Sequence, residues 1–129
     1  MTKKRLDHEP PEAIQKWGWK YHHLGIPTSL RMPNEVYIPA FKVYTSGFST
    51  CPFGIEWMRY EHDSPVDKLI QTVPHLAFEV DDIDHELSVH KFNIITEANS
   101  PSDGVRVVMI EHNRAPLELI EFAGKKNGV

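Results

Sequence analysis

The sequence predicts an α+β fold built from two copies of one strand-rich unit, and three observations predict it. The phrase His75-Leu76-Ala77-Phe78 repeats the earlier His23-Leu24-Gly25-Ile26: a histidine, a large apolar residue, a tiny one and another large apolar one. Gly54-Ile55-Glu56-Trp57-Met58 pairs in the same way with Pro116-Leu117-Glu118-Leu119-Ile120, each run setting a carboxylate between apolar neighbours. The order His, Glu, His, Glu at this spacing is the mark of a duplicated supersecondary unit. The second half also reads in sequence as strand, helix, strand, strand, strand, which fixes what the unit looks like.

Along the chain, residues 1–9 are polar and expected to be loose. Pro10 to Trp17 suits a short helix, with proline at its first turn and Gly18 ending it. Trp19 to Ile26 reads as a strand. Pro27, Pro33 and Pro39 break any regular pattern from Thr28 to Pro39, where only about one helical turn fits. Ala40 to Tyr44 is strand-like, Thr45-Ser46-Gly47 signals a turn, Phe48 to Phe53 is irregular and Ile55 to Tyr60 is a strand. Ser64 as N-cap, Pro65 at the first position and Asp67 at the positive end of the dipole predict a short helix joining the copies.

From Val73 to Val80 alternation places Leu76, Phe78 and Val80 on one face, which calls for a helix over it, and His75, Ala77 and Glu79 on the other. Ala77 leaves space beside the imidazole, as a binding site does. Asp82 to His90 is helical, with Asp82 as cap and Ile83 and Leu87 four apart. Phe92 to Thr96 is a strand and Ala98 to Gly104 a polar loop. Val105 to Glu111 and Pro116 to Phe122 form a hairpin around Asn113-Arg114. The tail 124–129 is expected to fray.

Composition narrows the function classes. A chain of 129 residues suits one domain with a real core, and 40% hydrophobic with 25% charged residues is ordinary for a soluble globular protein. A formal net charge of −4 gives nucleic-acid binding no electrostatic support. No apolar run reaches the length of a bilayer span, and the first residues lack the apolar stretch of a signal peptide, so neither membrane nor export is expected. The lone Cys51 forms no internal disulfide and fits a reducing compartment, which makes the cytoplasm the expected location.

Two imidazoles and two carboxylates are a donor set for a divalent transition metal: imidazole suits Zn, Fe, Ni and Cu, and carboxylate adds affinity for Mn. The four donors, His23, Glu56, His75 and Glu118, are far apart in the chain, so they form a site only if the two copies face each other. A single histidine on a strand is ordinarily half-buried and without a role. A glutamate inside an apolar strand is rarer, because burying an unpaired carboxylate is costly. Glu56 has an alternative partner in Arg59 or Arg106. Strict alternation turns His22 away from His23. His8, His62, His85, His90 and His112 read as solvated surface, Cys51 as structural, and Glu121 as a salt-bridge residue on the face opposite Glu118.

At these residues the chain resembles the glyoxalase, or vicinal oxygen chelate, superfamily over about residues 19–123. His75-Leu76-Ala77-Phe78-Glu79-Val80-Asp81-Asp82-Ile83 is similar to that family's strand-to-helix junction, and Pro116-Leu117-Glu118-Leu119-Ile120-Glu121-Phe122 to its closing strand. Asp63-Ser64-Pro65-Val66-Asp67-Lys68-Leu69 is most similar to the linker of methylmalonyl-CoA epimerases. The resemblance implies paired βαβββ modules, about 19–62 and 73–123, forming a half-open barrel-like sheet around a metal cleft. They follow an N-terminal extension, 1–18, with its short helix. It also implies a divalent metal (Zn, Mn, Ni, Co or Fe) on His23, Glu56, His75 and Glu118, and pairing into homodimers.

Two departures from the family stand out. There is no room between Ile26 and Ala40 for the first module's helix, so Ala13, Ile14 and Trp17 are expected to cover that sheet face instead. The segment 37–53 has no Asp or Glu, whereas the epimerases carry a further acid/base carboxylate in the corresponding region.

The implied activity is that of a metal-dependent isomerase, epimerase or lyase acting on a small carbonyl or carboxylate substrate through a metal-stabilised enolate. Glu118 would be the base, Glu56 a ligand or second base, and the histidines fixed ligands. Two other classes remain. One is an Fe(II) dioxygenase with His23, His75 and Glu118 as a facial triad, although ring-cleaving relatives are usually larger. The other is a non-catalytic small-molecule binding or antibiotic-resistance protein, or a thiol transferase to an antibiotic. It would use the large apolar groups of the first half: Trp17, Trp19, Phe41, Tyr44, Phe48, Phe53, Trp57 and Met58.

Overall fold

A computed structural model describes residues 8–124, so the expectations for 1–7 and 125–129 lie outside the described residues. The elements run α1 (Glu12–Gln15), β1 (Lys20–Pro27), β2 (Val36–Ile38), β3 (Val43–Ser46), β4 (Ile55–Tyr60), α2 (Lys68–Thr72), β5 (His75–Glu79), α3 (Ile83–Val89), β6 (Asn93–Ser102), β7 (Val105–His112) and β8 (Ala115–Phe122). A single 3-10 turn, Phe48–Thr50, lies between β3 and β4. The eight strands form one mixed, curled sheet, a half-barrel, in the order β2-β3-β4-β1-β5-β8-β7-β6.

That order has a centre. β1 and β5 pair antiparallel in the middle. β4 lies parallel to β1 on one side, and β8 parallel to β5 on the other. Beyond them β3 and β2 mirror β7 and β6. The expected α+β architecture of two similar strand sets is therefore what the chain forms.

Only the second set has its helix. Asp82 accepts the His85 N–H at 3.1 Å and so caps α3, while Glu121 accepts the N–H of Ile83 at 2.8 Å. With two of the orphan amides of its first turn satisfied, α3 lays Ile83 on the outer sheet face. A core of Trp19, Val80, Ile83, Val108, Ile110 and Leu119 forms there, with Leu87 and Phe92 packed against it. The Trp19 indole donates to Glu86 at 2.8 Å, which ties the start of β1 to α3.

The expectation for the N-terminal helix needs correction. Ala13 and Trp17 pack on this second-set core, not on the first set, and Ile14 stays 39% exposed. Trp17 is drawn there by aromatic partners: its ring lies 3.9 Å from His90 and 5.2 Å from Trp19. His90, read as solvated, is thus part of an aromatic cluster and also pairs with Glu86.

Several local expectations shift. β2 is a short strand in the proline-rich stretch. Ala40 to Lys42 form the turn after it, with Lys42 at φ 48°, so the next strand starts at Val43. Asp67, not Ser64, caps α2 by accepting the Leu69 N–H; Ser64 instead donates its hydroxyl to the Phe41 carbonyl. The segment expected to be a loop over 98–104 continues β6 to Ser102, with three register shifts against β7. Pro101 is tolerated because this is an edge strand. The hairpin forms as expected, with Asn113 and Arg114 both at positive φ, as a tight two-residue turn requires.

Candidate metal centre

The central strand pair decides where the histidines go. In the β1–β5 register Gly25 stands opposite His75, and Ala77 opposite His23. Each tiny residue therefore makes room for the imidazole of the other copy. At Gly25 the fit is close: a Cβ there would lie 2.2 Å from His75 Cε1. The parallel neighbours then supply the carboxylates, with Glu56 level with Gly25 and Glu118 level with Ala77. Two rows across the sheet, Glu56–Gly25–His75 and Glu118–Ala77–His23, bring all four side chains to the wall of one cavity.

Three of the four converge. The donor atoms of His23, His75 and Glu118 all lie within 4.8 Å of one another. Glu118 Oε1 is 3.1 Å from His75 Nε2 and 3.6 Å from His23 Nε2. Glu56 flanks the group, with Oε1 3.7 Å from His23 Nε2. Its alternative partners are taken: Arg59 forms a two-pronged pair with Glu35 at 2.7 and 2.9 Å, and Arg106 pairs with Asp84 at 2.9 Å. Both histidines are buried.

Charge follows from this packing. Burial alone would raise the Glu118 carboxyl, but hydrogen bonds to His23 and His75 outweigh it and hold it at about 2. Burial would lower His23, yet the hydrogen bond and charge of Glu118, helped by Glu56, raise it above 6.5. Glu56 is raised, chiefly by burial and further by the charge of Glu118, although the histidines pull the other way. The two carboxylates thus differ: Glu118 is held ionised by both imidazoles, while Glu56 stands at the margin of the group.

Two residues of the site escaped sequence reasoning. β1 has a bulge between Tyr21 and His23, where its register against β5 slips. The bulge turns His22 to the same side as His23, against strict alternation, and their Nδ1 atoms share a hydrogen bond at 2.8 Å. His22 stacks on Phe48, ring centroids 4.9 Å apart. Tyr60, four residues after Glu56 on β4, also lines the cavity. Burial raises its phenol, with the charges of Glu118 and Glu56 adding to the effect, so it remains an O–H donor. Period-two counting from Glu56 could have found Tyr60; nothing in the sequence marks the bulge.

The cavity has a volume of about 410 Å³, within the range of small-molecule sites. Of the large apolar residues of the first half, Phe41, Phe48 and Met58 line it; Trp17 and Trp19 belong to the outer core, and Trp57 lines a second, smaller cleft with Cys51. The Cys51 thiol accepts the Phe53 N–H at 3.4 Å. Glu121 lies away from the site, where it serves α3. Among the described residues no helix is long and apolar enough to cross a membrane.

Bonds of about 2.0–2.2 Å to a shared ion place its donors about 3–4 Å apart. The Glu118 separations of 3.1 Å to His75 and 3.6 Å to His23 fit that requirement, and two imidazoles with carboxylate are a fitting donor set for a divalent transition metal.

No protein-family model matches the chain, and no curated protein matches it in sequence. Solved structures do resemble it. A hypothetical protein from Bacillus halodurans C-125 superposes with a TM-score of 0.63 at 19% identity, covering 84% of this chain and 98% of that one. Methylmalonyl-CoA epimerase from Mycobacterium tuberculosis superposes with a TM-score of 0.56 at 16% identity, covering 82% of this chain and 89% of that one. At these identities the likeness establishes the fold.

Proposed function

We propose that the chain is a divalent-metal-dependent isomerase, epimerase or lyase of the glyoxalase superfamily, acting on a small carbonyl or carboxylate compound. The observation that carries this reading is the convergence of His23, His75 and Glu118 at the floor of an apolar-walled cavity. The fold shared with an epimerase supports it. A divalent ion bound there supplies Lewis acidity to neighbouring substrate oxygens and so stabilises the charge left when an adjacent C–H loses its proton.

The chain's own groups divide the remaining work. His23 and His75, fixed on the central strand pair, present their Nε2 atoms to the carboxylates and act as ligands. The hydrogen bond between Nδ1 atoms orients the His23 ring, with His22 as the acceptor when His23 offers its Nε2 lone pair. Glu118 touches both imidazoles and completes the ligand set. Glu56 stands 3.7 Å from His23, outside the three-donor group, and lies along the cavity wall, so it is placed to take the substrate proton, either alone or together with Glu118. Tyr60 offers a neutral O–H to a substrate oxygen. With no Asp or Glu over 37–53, a chemistry needing a single carboxylate base outside the ligand set, as in a lyase or isomerase, suits the site better than a two-base epimerisation.

The test is elemental analysis of protein purified without chelators. The wild type is expected to hold about one divalent ion per chain, and His75→Ala to lose it while keeping its fold. A folded His75→Ala protein with undiminished metal would sink the reading. The same three donors also form a two-histidine, one-carboxylate set with Glu56 outside it, which favours, as the second reading, an Fe(II) oxygenase. Oxygen uptake by the iron-loaded protein with a catechol would select that reading, and its absence would remove it.

A further inference from the structure

The cavity above the candidate metal centre has a charge balance that narrows what it accepts. Among the described residues lining it there is no lysine and no arginine. Its formal charges are the two carboxylates, Glu56 and Glu118, and its imidazoles are neutral when they act as ligands. A divalent ion cancels the two carboxylates and leaves no surplus positive charge for an anionic ligand. Away from the floor the walls combine apolar groups such as Phe41, Phe48 and Met58 with side-chain hydroxyls and an amide, among them Thr96 and Asn99. A phosphate or sulfate there would be desolvated with no lysine or arginine to offset its charge.

The polar atoms above the floor are neutral. Tyr60 is the best placed, because the partner its hydroxyl has is the weakly accepting sulfur of Met58, at 3.7 Å. An oxygen acceptor on a ligand would be a better partner. The volume of about 410 Å³ holds a compact molecule and not a nucleotide-bearing carrier as well.

We propose that this cavity takes an uncharged, largely apolar carbonyl compound bearing oxygen acceptors, which narrows the carbonyl-or-carboxylate reading above to its uncharged half, and that it discriminates against polyanionic thioesters and phosphate esters. The anchoring of those oxygens at the floor rests on the metal reading above; the charge selection rests on the cavity walls and stands apart from it.

The probe is the uncharged dye N-phenyl-1-naphthylamine, titrated by fluorescence into the full chain in two states, zinc-loaded and chelator-treated. Saturable binding at one site is expected in both states, displaced by an uncharged aromatic α-hydroxyketone and not by acetyl-CoA at the same concentration. Val105→Lys puts a cation on a half-buried wall position outside the ligand set; it is expected to weaken dye binding at least tenfold with metal content unchanged. Displacement by acetyl-CoA at lower concentration than by the ketone would overturn the proposal, as would dye binding indifferent to Val105→Lys. Elemental analysis of the same samples separates the two readings. Full metal content without dye binding sinks this inference alone. Dye binding, with the ketone displacing it and acetyl-CoA not, in a zinc-treated sample that keeps no metal after desalting supports the charge selection while the metal reading falls.

Discussion

At Gly25 the lack of a side chain decides whether a histidine can enter the site. The His75 ring occupies the space a Cβ would take, closer than any van der Waals contact allows. Gly25→Ala is expected to push His75 off Glu118, to cost about 1–3 kcal/mol of stability as overpacking does, and to abolish metal retention. Urea unfolding and elemental analysis together check this, and a variant that keeps its metal would show that the ring has another way in. His22 acts at the same scale but through His23. His22→Phe preserves the stacking on Phe48 and removes the Nδ1 partner. Metal affinity is expected to fall about 10–100-fold, the usual effect of losing a partner that orients a ligand histidine, with little change in thermal midpoint. Competition against a chromophoric chelator measures it; equal affinities would mean that His22 does not orient the ring.

Helix α3 closes the outer face of the second strand set, and its stability has two separable sources. Asp82→Ala removes the cap and is expected to cost about 1 kcal/mol, whereas Leu119→Ala leaves a hole under the fully buried Ile83 and is expected to cost about 2–5 kcal/mol. Denaturant midpoints would rank the two, and an equal effect would argue against the cap as a local feature. This element was legible in the sequence because its signals are local: the alternation of 75–80, then an aspartate, then Ile83 and Leu87. The convergence of His23, His75 and Glu118 was legible as well, because the phrase that carries each histidine and each glutamate occurs twice. The bulge at His22 was not, since one inserted residue leaves composition and hydrophobic alternation unchanged while rotating a side chain to the other face. Nor was the docking of Trp17, which depends on His90 and Trp19 meeting it from distant parts of the chain. β6 ran past its expected end because cross-strand pairing with β7 overrode the loop-forming composition of 98–102.

Across the whole molecule the buried donors couple folding to pH. Glu118 is lowered from 4.5 to about 2, so in the metal-free protein its contribution is complete above pH 4.5 and is lost as pH falls from there towards 2. His23 is raised above 6.5, so its contribution is complete below 6.5 and is lost as pH rises through its folded value. Glu56, raised above 4.5, also costs stability as pH rises, because the folded state holds its proton longer. Urea midpoints of the chelator-treated protein are therefore expected to peak in mildly acidic solution and to fall on both sides. A midpoint that climbs steadily with pH would contradict the assigned charges. Added metal should abolish the alkaline decline and release protons as it binds. The sheet itself leaves one more consequence. A half-barrel does not close, so it has two rims, β2 and β6. One is three residues long, and the other slips its register three times along its length. Neither presents a straight ladder of unpaired amides on which a foreign backbone could add and grow, so the molecule can keep its mouth open to a ligand without inviting fibrils.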